Sequence, residues 1–304
     1  MSGTPVSGAQ VSLRHGSYAA EIATVGASLR SLTHDGRDLV VPFAEDEVRP
    51  LYRGVVLVPW PNRVVDGRYR FDGVEQQLAL TEPDRGHALH GLACWSDWRV
   101  VSRTSSSVLL ETVVVPQAGY PHRLRVEVAY ELGDAGLTTR ITAANTGPTR
   151  APYGASSHPY LVGGDGRVDD WTLRLEAARV LEVDPERLIP QGLADVAGGA
   201  FDFATERTIG DLFIDHAFTG LVETDGAIRA VVRAADGRGV EMVWDAGAPW
   251  VQVHTGDRPE PEYDRRGLAV EPMTCPPDAF NSGTDLIVLE PGSSHAVGWR
   301  IAAV

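Results

Sequence analysis

The sequence predicts an all-β protein built as one large sandwich over residues 1–304. Three observations carry this. Apolar and polar residues alternate with period two along most of the chain, the pattern of half-buried strands rather than of helices. Gly and Pro together make 52 residues, spread along the length as frequent turns rather than gathered in a linker. No amphipathic stretch exceeds about three helical turns and no βαβ alternation occurs.

The elements follow in order. After Asn62 come Val64-Val65, Asp66-Gly67, Arg68-Tyr69-Arg70-Phe71, Asp72-Gly73 and Val74 to Leu78. Asp-Gly pairs supply the positive φ of tight hairpin turns, so this stretch reads as a meander. Further strands are expected at Val108 to Val115, Arg123 to Leu132, Leu137 to Ala143 and Trp171 to Leu175. The same grammar returns in Ile228 to Arg233, which is joined through Asp236-Gly237 to Val240 to Trp244, and then in Trp250 to His254. No repeat of fixed period appears, which sets propellers and solenoids aside. Two smaller β domains divided near Thr146-Gly147-Pro148 are the alternative architecture.

Composition removes several function classes. Acidic residues outnumber basic ones 41 to 27, for a net charge of −14, so neither nucleic acid nor an anionic membrane is an expected partner. All 27 basic residues are Arg. Without lysine the chain cannot form a Schiff base, hold pyridoxal phosphate or complete a P-loop. Cys94 and Cys275 are too few for a disulfide framework and lack zinc spacing, which fits a reducing cytoplasm. No secretory leader pattern and no apolar run of membrane-spanning length are seen, so a soluble cytoplasmic protein is expected. The sequence also lacks H-E-x-x-H, G-x-S-x-G and a dinucleotide fingerprint.

What remains is a set of polar residues in turn-rich, aromatic-rich surroundings. His158, in Ser156-Ser157-His158-Pro159-Tyr160, projects from a rigid strand end and can donate a proton near neutral pH, or can be a hydrogen-bonded structural histidine. Glu271 follows a short apolar strand and precedes Pro272, placed as a strand-end base or a solvated edge charge. Asn62-Arg63 lies in a proline-flanked loop where Arg63 offers a fork of donors to hydroxyls and Trp60 an apolar platform for a sugar ring. The alternative for Arg63 is an ion pair bracing the hairpin. His87 and His90 have a metal-like spacing, but the glycine-bounded stretch and the missing further ligand favour a polar pocket lining, with no metal. Asp215, in Asp215-His216, can accept hydrogen bonds from paired hydroxyls or cap a turn.

Taken in order, these segments resemble the aldose 1-epimerase, or galactose mutarotase-like, family. Asn62-Arg63 with Asp66-Gly67-Arg68-Tyr69 and Phe71-Asp72-Gly73 is similar to its N-R-x-x-x-G-x-(F/Y)-x-(F/L)-x-G opening. Leu89-His90-Gly91, His158-Pro159-Tyr160, Ile189-Pro190 to Gly192, Gly199 to Phe203 and Asp215-His216-x-Phe218 resemble its later motifs, and Glu271 with Pro277-Asp278-Ala279-Phe280-Asn281 its last. The resemblance spans Asn62 to Asn281. It implies a β-supersandwich, no cofactor, and interconversion of the α and β anomers of a free aldohexose.

Opening a pyranose requires a base at the anomeric hydroxyl and an acid at the ring oxygen. By resemblance Glu271 is the base and His158 the acid, on opposite sides of the ring. His90 then sits beside the ring oxygen, and Arg63, Asp215, Asn62, His87 and Trp60 contact the sugar. Leu92, His87, Pro159, Leu161 and Pro272-Met273-Thr274 depart from the galactose mutarotase pattern and leave the preferred sugar open. Alternatives are a hexose-6-phosphate 1-epimerase using Arg53, Arg63, Arg258 and Arg265-Arg266, or a non-catalytic sugar-binding protein. A glycoside hydrolase is disfavoured because only Glu271 is a clear catalytic carboxylate. A monosaccharide is the expected partner, and monomer and homodimer are both compatible.

Overall fold

The structure, a computed structural model, describes residues 3–304. The chain is all-β, and the longest helix among these residues is the single turn Ala279–Ser282. A nine-stranded antiparallel sheet runs in the spatial order Arg99–Arg103, Ser107–Val114, Leu124–Gly133, Gly136–Asn145, Ser294–Ala303, Gly239–Trp244, Ile228–Arg233, Thr172–Leu175 and Phe203–Thr208. Strands from before and after Thr146–Pro148 pair within it, Leu137 lying opposite Ile301.

Period two decides which face is buried. Leu124, Val126, Val128, Tyr130 and Leu132 all point into the core, while Arg125 and Glu131 between them face solvent. A four-stranded antiparallel sheet (Gln10–His15, Tyr18–Ala23, Ser28–His34, Arg37–Asp38) packs Leu13, Ile22 and Leu32 into the same core. There the Tyr130 hydroxyl donates to the Ala27 carbonyl at 2.7 Å.

A six-stranded antiparallel sheet supplies the floor of the candidate site. Its order is Tyr160–Leu161, Leu268–Met273, Trp250–His254, Asp215–Leu221, Ala177–Val183, Pro190–Asp195. Val251, Val253, Val270 and Phe218 join the main core, together with Leu173 and Val232 of the larger sheet. The opposite face therefore presents Asp215, Gln252, His254 and Glu271, because Asp215 faces His254 and Gln252 faces Glu271 across the ladder.

Several local expectations shift. Asp72-Gly73 makes the two-residue hairpin between Arg68–Phe71 and Val74–Gln77, with both φ positive. Asp66-Gly67 is not a hairpin turn: it bends the chain between Arg63–Val64 and Arg68–Phe71, so Val65 lies outside the strand. Glu271 is not at a strand end but inside Leu268–Met273, a strand buried at every position. Pro272 is tolerated there because the neighbouring strand Tyr160–Leu161 pairs only with Leu268 and Ala269, leaving no ladder bond for Pro272 to forfeit on that side.

Candidate active site

Four segments converge over the polar face of the six-stranded sheet. The first pair is Asn62-Arg63 and Leu89-His90, whose short strands Arg63–Val64 and Ala88–Leu89 are antiparallel partners. Asn62 and His90 both adopt left-handed backbone, with φ of 53° and 62°. The His90 amide donates to the Asn62 carbonyl at 2.8 Å. Non-glycine residues in this region cost energy and persist where the surroundings hold them. Gly91 follows because a Cβ there would stand 2.1 Å from the Val58 carbonyl oxygen.

A third segment carries His158. Its amide donates to the Val55 carbonyl at 3.0 Å and its carbonyl accepts from Gly54 at 2.8 Å, extending the pairing of Ser156–Ser157 with Val56–Leu57. The fourth, Gly256 to Arg265, brings Asp257 and Arg258 to the rim. Together these segments line a cavity of about 410 Å³ with Arg63, His90, His158, Asp215, Gln252, His254 and Glu271 among its walls, a size suited to a small molecule.

Glu271 and His158 are neighbours at the floor. The His158 Nε2 lies 3.3 Å from the Glu271 Oε1, and both side chains are almost fully buried. The two therefore stand side by side, not across a ring from each other as the sequence suggested. Tyr160 stacks on the His158 ring with centroids 4.9 Å apart, and Tyr52 meets His90 edge-on at 4.7 Å. His90 and His158 are themselves edge to face at 5.2 Å.

Burial lifts the Glu271 carboxyl well above the usual carboxylate range; Asp215 adds to the rise and Arg63 opposes it. Burial also pushes the His158 imidazole down, to about 3, with His254 contributing next. Both displacements favour the state in which the pair holds one proton and no net charge, since losing it or gaining a second would create a buried charge. His90 is likewise held well below an ordinary imidazole by burial, then by His158 and Arg63.

Arg63 is the hub of the polar wall. Its guanidinium donates through Nε and one terminal nitrogen to the two Glu82 oxygens at 2.7 and 2.9 Å, and reaches Asp215 at 3.9 Å. Asn62 Oδ1 accepts from the Arg63 amide at 2.9 Å. Gln252 donates to Asp215 at 2.7 Å. Burial raises the Asp215 carboxyl, but His254, Arg63 and this amide outweigh it and leave it below the ordinary aspartate value. Gln252 Oε1, Glu271 Oε2 and the Nδ1 atoms of His90 and His158 are buried without a hydrogen-bond partner. Such atoms are rare in a folded chain and concentrate where polar groups are held for function.

Of the expected site residues, Glu271, His158, Arg63, His90, Asp215 and Asn62 come together here. His87 and Trp60 do not. The fully buried His87 ring accepts the Asp66 amide at Nδ1 and contacts the Arg187 carbonyl at Nε2, 2.8 Å away, so both nitrogens are spent on holding loops. Trp60 lies in the core against Phe280, its indole donating to the Ala88 carbonyl. Large apolar rings gain more from complete burial than from lining a polar cavity, which decides its place. Trp250 similarly packs with Leu181, Ala217 and Met273, and the His216 ring packs against Phe201 while its Nδ1 accepts the Asp215 amide at 3.1 Å. Among the described residues no group of three or more His, Cys, Asp or Glu is arranged to hold a metal.

Sequence reasoning missed Glu82, Gln252 and His254. The signal for the last two was polar residues at alternate positions of Trp250-Val251-Gln252-Val253-His254, in a strand that is buried throughout. The Pro277-Asp278-Ala279-Phe280-Asn281 motif has a structural task. The Asp278 carboxylate accepts the Val65 amide at 2.9 Å, the Asp278 amide donates to the Arg63 carbonyl, and Asn281 donates to the Arg68 carbonyl, clasping the loop that aims Arg63.

Comparison with known proteins identifies the family. The family model described as aldose 1-epimerase matches residues 9–302. The chain is 40% identical over 296 residues to the uncharacterized protein YihR of Escherichia coli (strain K12), covering 97% of this chain and 93% of the relative. It is 30% identical over 286 residues to the galactose mutarotase of Homo sapiens, covering 85% and 81%. A crystal structure of a GalM/aldose epimerase homologue from C. elegans superposes with a TM-score of 0.85 at 20% identity, over 97% of this chain and 99% of that one. By the match along nearly its whole length, the chain belongs to the aldose 1-epimerase family.

Proposed function

We propose that the protein is an aldose 1-epimerase that interconverts the α and β anomers of a free aldohexose, with Glu271 as base and His158 as acid. The supporting observation is the adjacency of these two buried groups at 3.3 Å. Both oxygens that exchange protons in mutarotation, the anomeric hydroxyl and the ring oxygen, are bonded to the same carbon. An acid and a base serving them must be neighbours.

Burial leaves the shared proton on Glu271 at rest; once it has passed to His158, the carboxylate takes the proton of the anomeric hydroxyl while the imidazolium protonates the ring oxygen. The C1–O5 bond breaks and an open-chain aldehyde forms. Rotation about C1–C2 presents the other carbonyl face. The reverse transfers, from Glu271 to the aldehyde oxygen and from the O5 hydroxyl to His158, close the second anomer. The pair carries one proton before and after each half-reaction, so the buried site never gains net charge. His90, neutral beside His158, offers a hydrogen bond at the ring oxygen, and Arg63, Asp215 and Asn62 hold hydroxyls.

Polarimetry of freshly dissolved α-D-glucose and α-D-galactose tests this. We expect acceleration by the native protein and a loss of about 10²–10⁴ in Glu271→Gln and in His158→Asn. Acceleration that survives in both variants would sink the assignment, and saturable binding without anomer exchange would make the protein a sugar binder. One observation favours a second substrate, a hexose 6-phosphate. Arg63 and Arg85 are both engaged with Glu82, whereas the Arg258 guanidinium at the rim has no carboxylate partner among the described residues. Faster turnover of glucose 6-phosphate than of glucose, lost in Arg258→Gln, would establish that reading.

A further inference from the structure

The two imidazoles nearest the floor are not steered through their Nδ1 atoms. His158 meets Glu271 through Nε2 at 3.3 Å, while its Nδ1 and that of His90 are buried without a partner. An imidazole that moves protons is ordinarily oriented by a hydrogen bond at its other nitrogen. Here aromatic rings stand in that place. Tyr160 packs on His158, and Tyr52 pairs with both imidazoles, edge-on to His90 at 4.7 Å and within 20° of parallel to His158 at 6.4 Å between centroids.

Tyr52 reaches the cavity on a strained turn. Leu51 and Tyr52 are both left-handed, with φ of 51° and 58°, and neither is glycine. Such backbone persists where the surroundings overdetermine it, and it points from geometry to function. The turn is held at both ends. On one side the buried Arg49 guanidinium donates to the Ser28 hydroxyl at 2.9 Å and the Cys94 carbonyl at 2.6 Å, and it lies 4.4 Å over the Trp95 ring, which is 5.9 Å from Tyr52. On the other side the Gly54 amide donates to the His158 carbonyl at 2.8 Å and the Gly54 carbonyl accepts from the Leu29 amide at 2.9 Å. A Cβ at Gly54 would stand 2.1 Å from the Leu29 carbonyl oxygen. The turn that presents Tyr52 is therefore tied to the backbone of His158 itself.

We propose that Tyr52 is a positioning residue for mutarotation, its ring packed on His90 and His158 so that both imidazoles keep their edges toward the ring oxygen of the sugar. This rests on the epimerase reading above. The role needs a flat ring and not the hydroxyl, because an aliphatic side chain of similar size fills the space but leaves the imidazoles free to tilt. The ring also keeps water from His158. The titratable groups around that imidazole, Glu271, Asp215, His254, Arg258, His90 and Tyr160, all stay when Tyr52 is replaced, so the change there is chiefly one of solvation.

The test is polarimetric mutarotation of glucose and galactose as a function of pH, with native protein, Tyr52→Phe, Tyr52→Leu and Tyr52→Ala. Tyr52→Phe should keep kcat within about twofold, whereas Tyr52→Leu and Tyr52→Ala should lower it about 10- to 100-fold with little change in KM, as misplacement of a catalytic group does. In those two variants the acid limb should climb toward 6.5 as water reaches His158. Should the alanine variant not fold, the leucine variant carries the comparison. Native kcat in Tyr52→Leu overturns the proposal, as does a loss in Tyr52→Phe equal to that in Tyr52→Leu. A change confined to KM with the acid limb unmoved also overturns it and makes Tyr52 a sugar contact. Each of these outcomes leaves native turnover, and so the epimerase reading, intact; no turnover of either sugar by the native protein overturns that reading and the role of Tyr52 with it.

Discussion

Replacing Arg63 by methionine should destabilise the fold strongly, and in a pH-dependent way. The Arg63 side chain is 9% exposed and that of Glu82 12%, so their two-pronged contact at 2.7 and 2.9 Å is shielded from water. Methionine keeps much of the volume but leaves Glu82 facing only Arg85, and Asp215 without its cation at 3.9 Å. Breaking a buried pair by removing one partner costs about 3–5 kcal/mol. With roughly 2.1 cal/mol/K per residue over 304 residues, the unfolding entropy is about 0.64 kcal/mol/K, which converts that cost to a fall in Tm of about 5–8 °C.

The sign with pH follows from Glu82. Burial raises its carboxyl, but the hydrogen bonds and charge of Arg63 outweigh this and hold it below its ordinary value of 4.5. The pair therefore contributes stability that is complete above 4.5 and is lost as pH falls through the folded-state pKa. Calorimetric melts of native and Arg63→Met protein at pH 7 and pH 3 should show a deficit that is large at the first and reduced at the second. Adding Glu82→Gln to Arg63→Met removes the stranded charge and should recover at least about 1 kcal/mol. A deficit below about 1 kcal/mol at pH 7, or one equal at both pH values, refutes the reasoning.

Other expectations concern the same wall and floor. Glu271→Gln should abolish mutarotation yet raise Tm at alkaline pH. Its carboxyl is raised by burial, so the native protein loses stability as pH rises from 4.5 through the folded-state pKa, and glutamine escapes that loss; a lower Tm at pH 9 would contradict this. The pH–rate profile should have its acid limb well below 6.5, where His158 takes a second proton, and its alkaline limb above 4.5, where the pair loses its only one. An acid limb at an ordinary imidazole value would count against the shared proton. Asp278→Ala should lower kcat/KM through loosening of the Arg63 loop without touching the sugar, read as faster amide exchange at Val65 and His90. His87→Phe should behave as a stability variant, lowering Tm while leaving KM within about twofold, because both ring nitrogens serve loops rather than the cavity.

The sequence by itself determined the strand content and singled out the two residues proposed above as acid and base. Alternation in Leu124 to Leu132 and Ile228 to Arg233, and the Asp72-Gly73 turn, are properties of adjacent residues, legible because a strand's period and a hairpin's φ demand them locally. His158 and Glu271 stood out by residue type and by resemblance. Their contact did not, since 113 positions separate them and only the registration of Leu268–Met273 with Trp250–His254, over a loop tied to Val55, brings them together.

Tertiary structure also divided residues that look alike in the chain. His87 and His90 are three positions apart, but left-handed backbone at His90 turns one ring into the cavity while the other is consumed by Asp66 and Arg187. Trp60, expected as a platform for the sugar, and Phe213 are both aromatic, and only the packing around each sends the first into the core and leaves the second exposed at the cavity. Gln252 and His254 read as the polar face of a strand, which in most sheets means solvent. Here that face is covered by the Asn62, His90 and His158 loops, and long-range closure of those loops over the sheet, which no local pattern encodes, makes it a pocket.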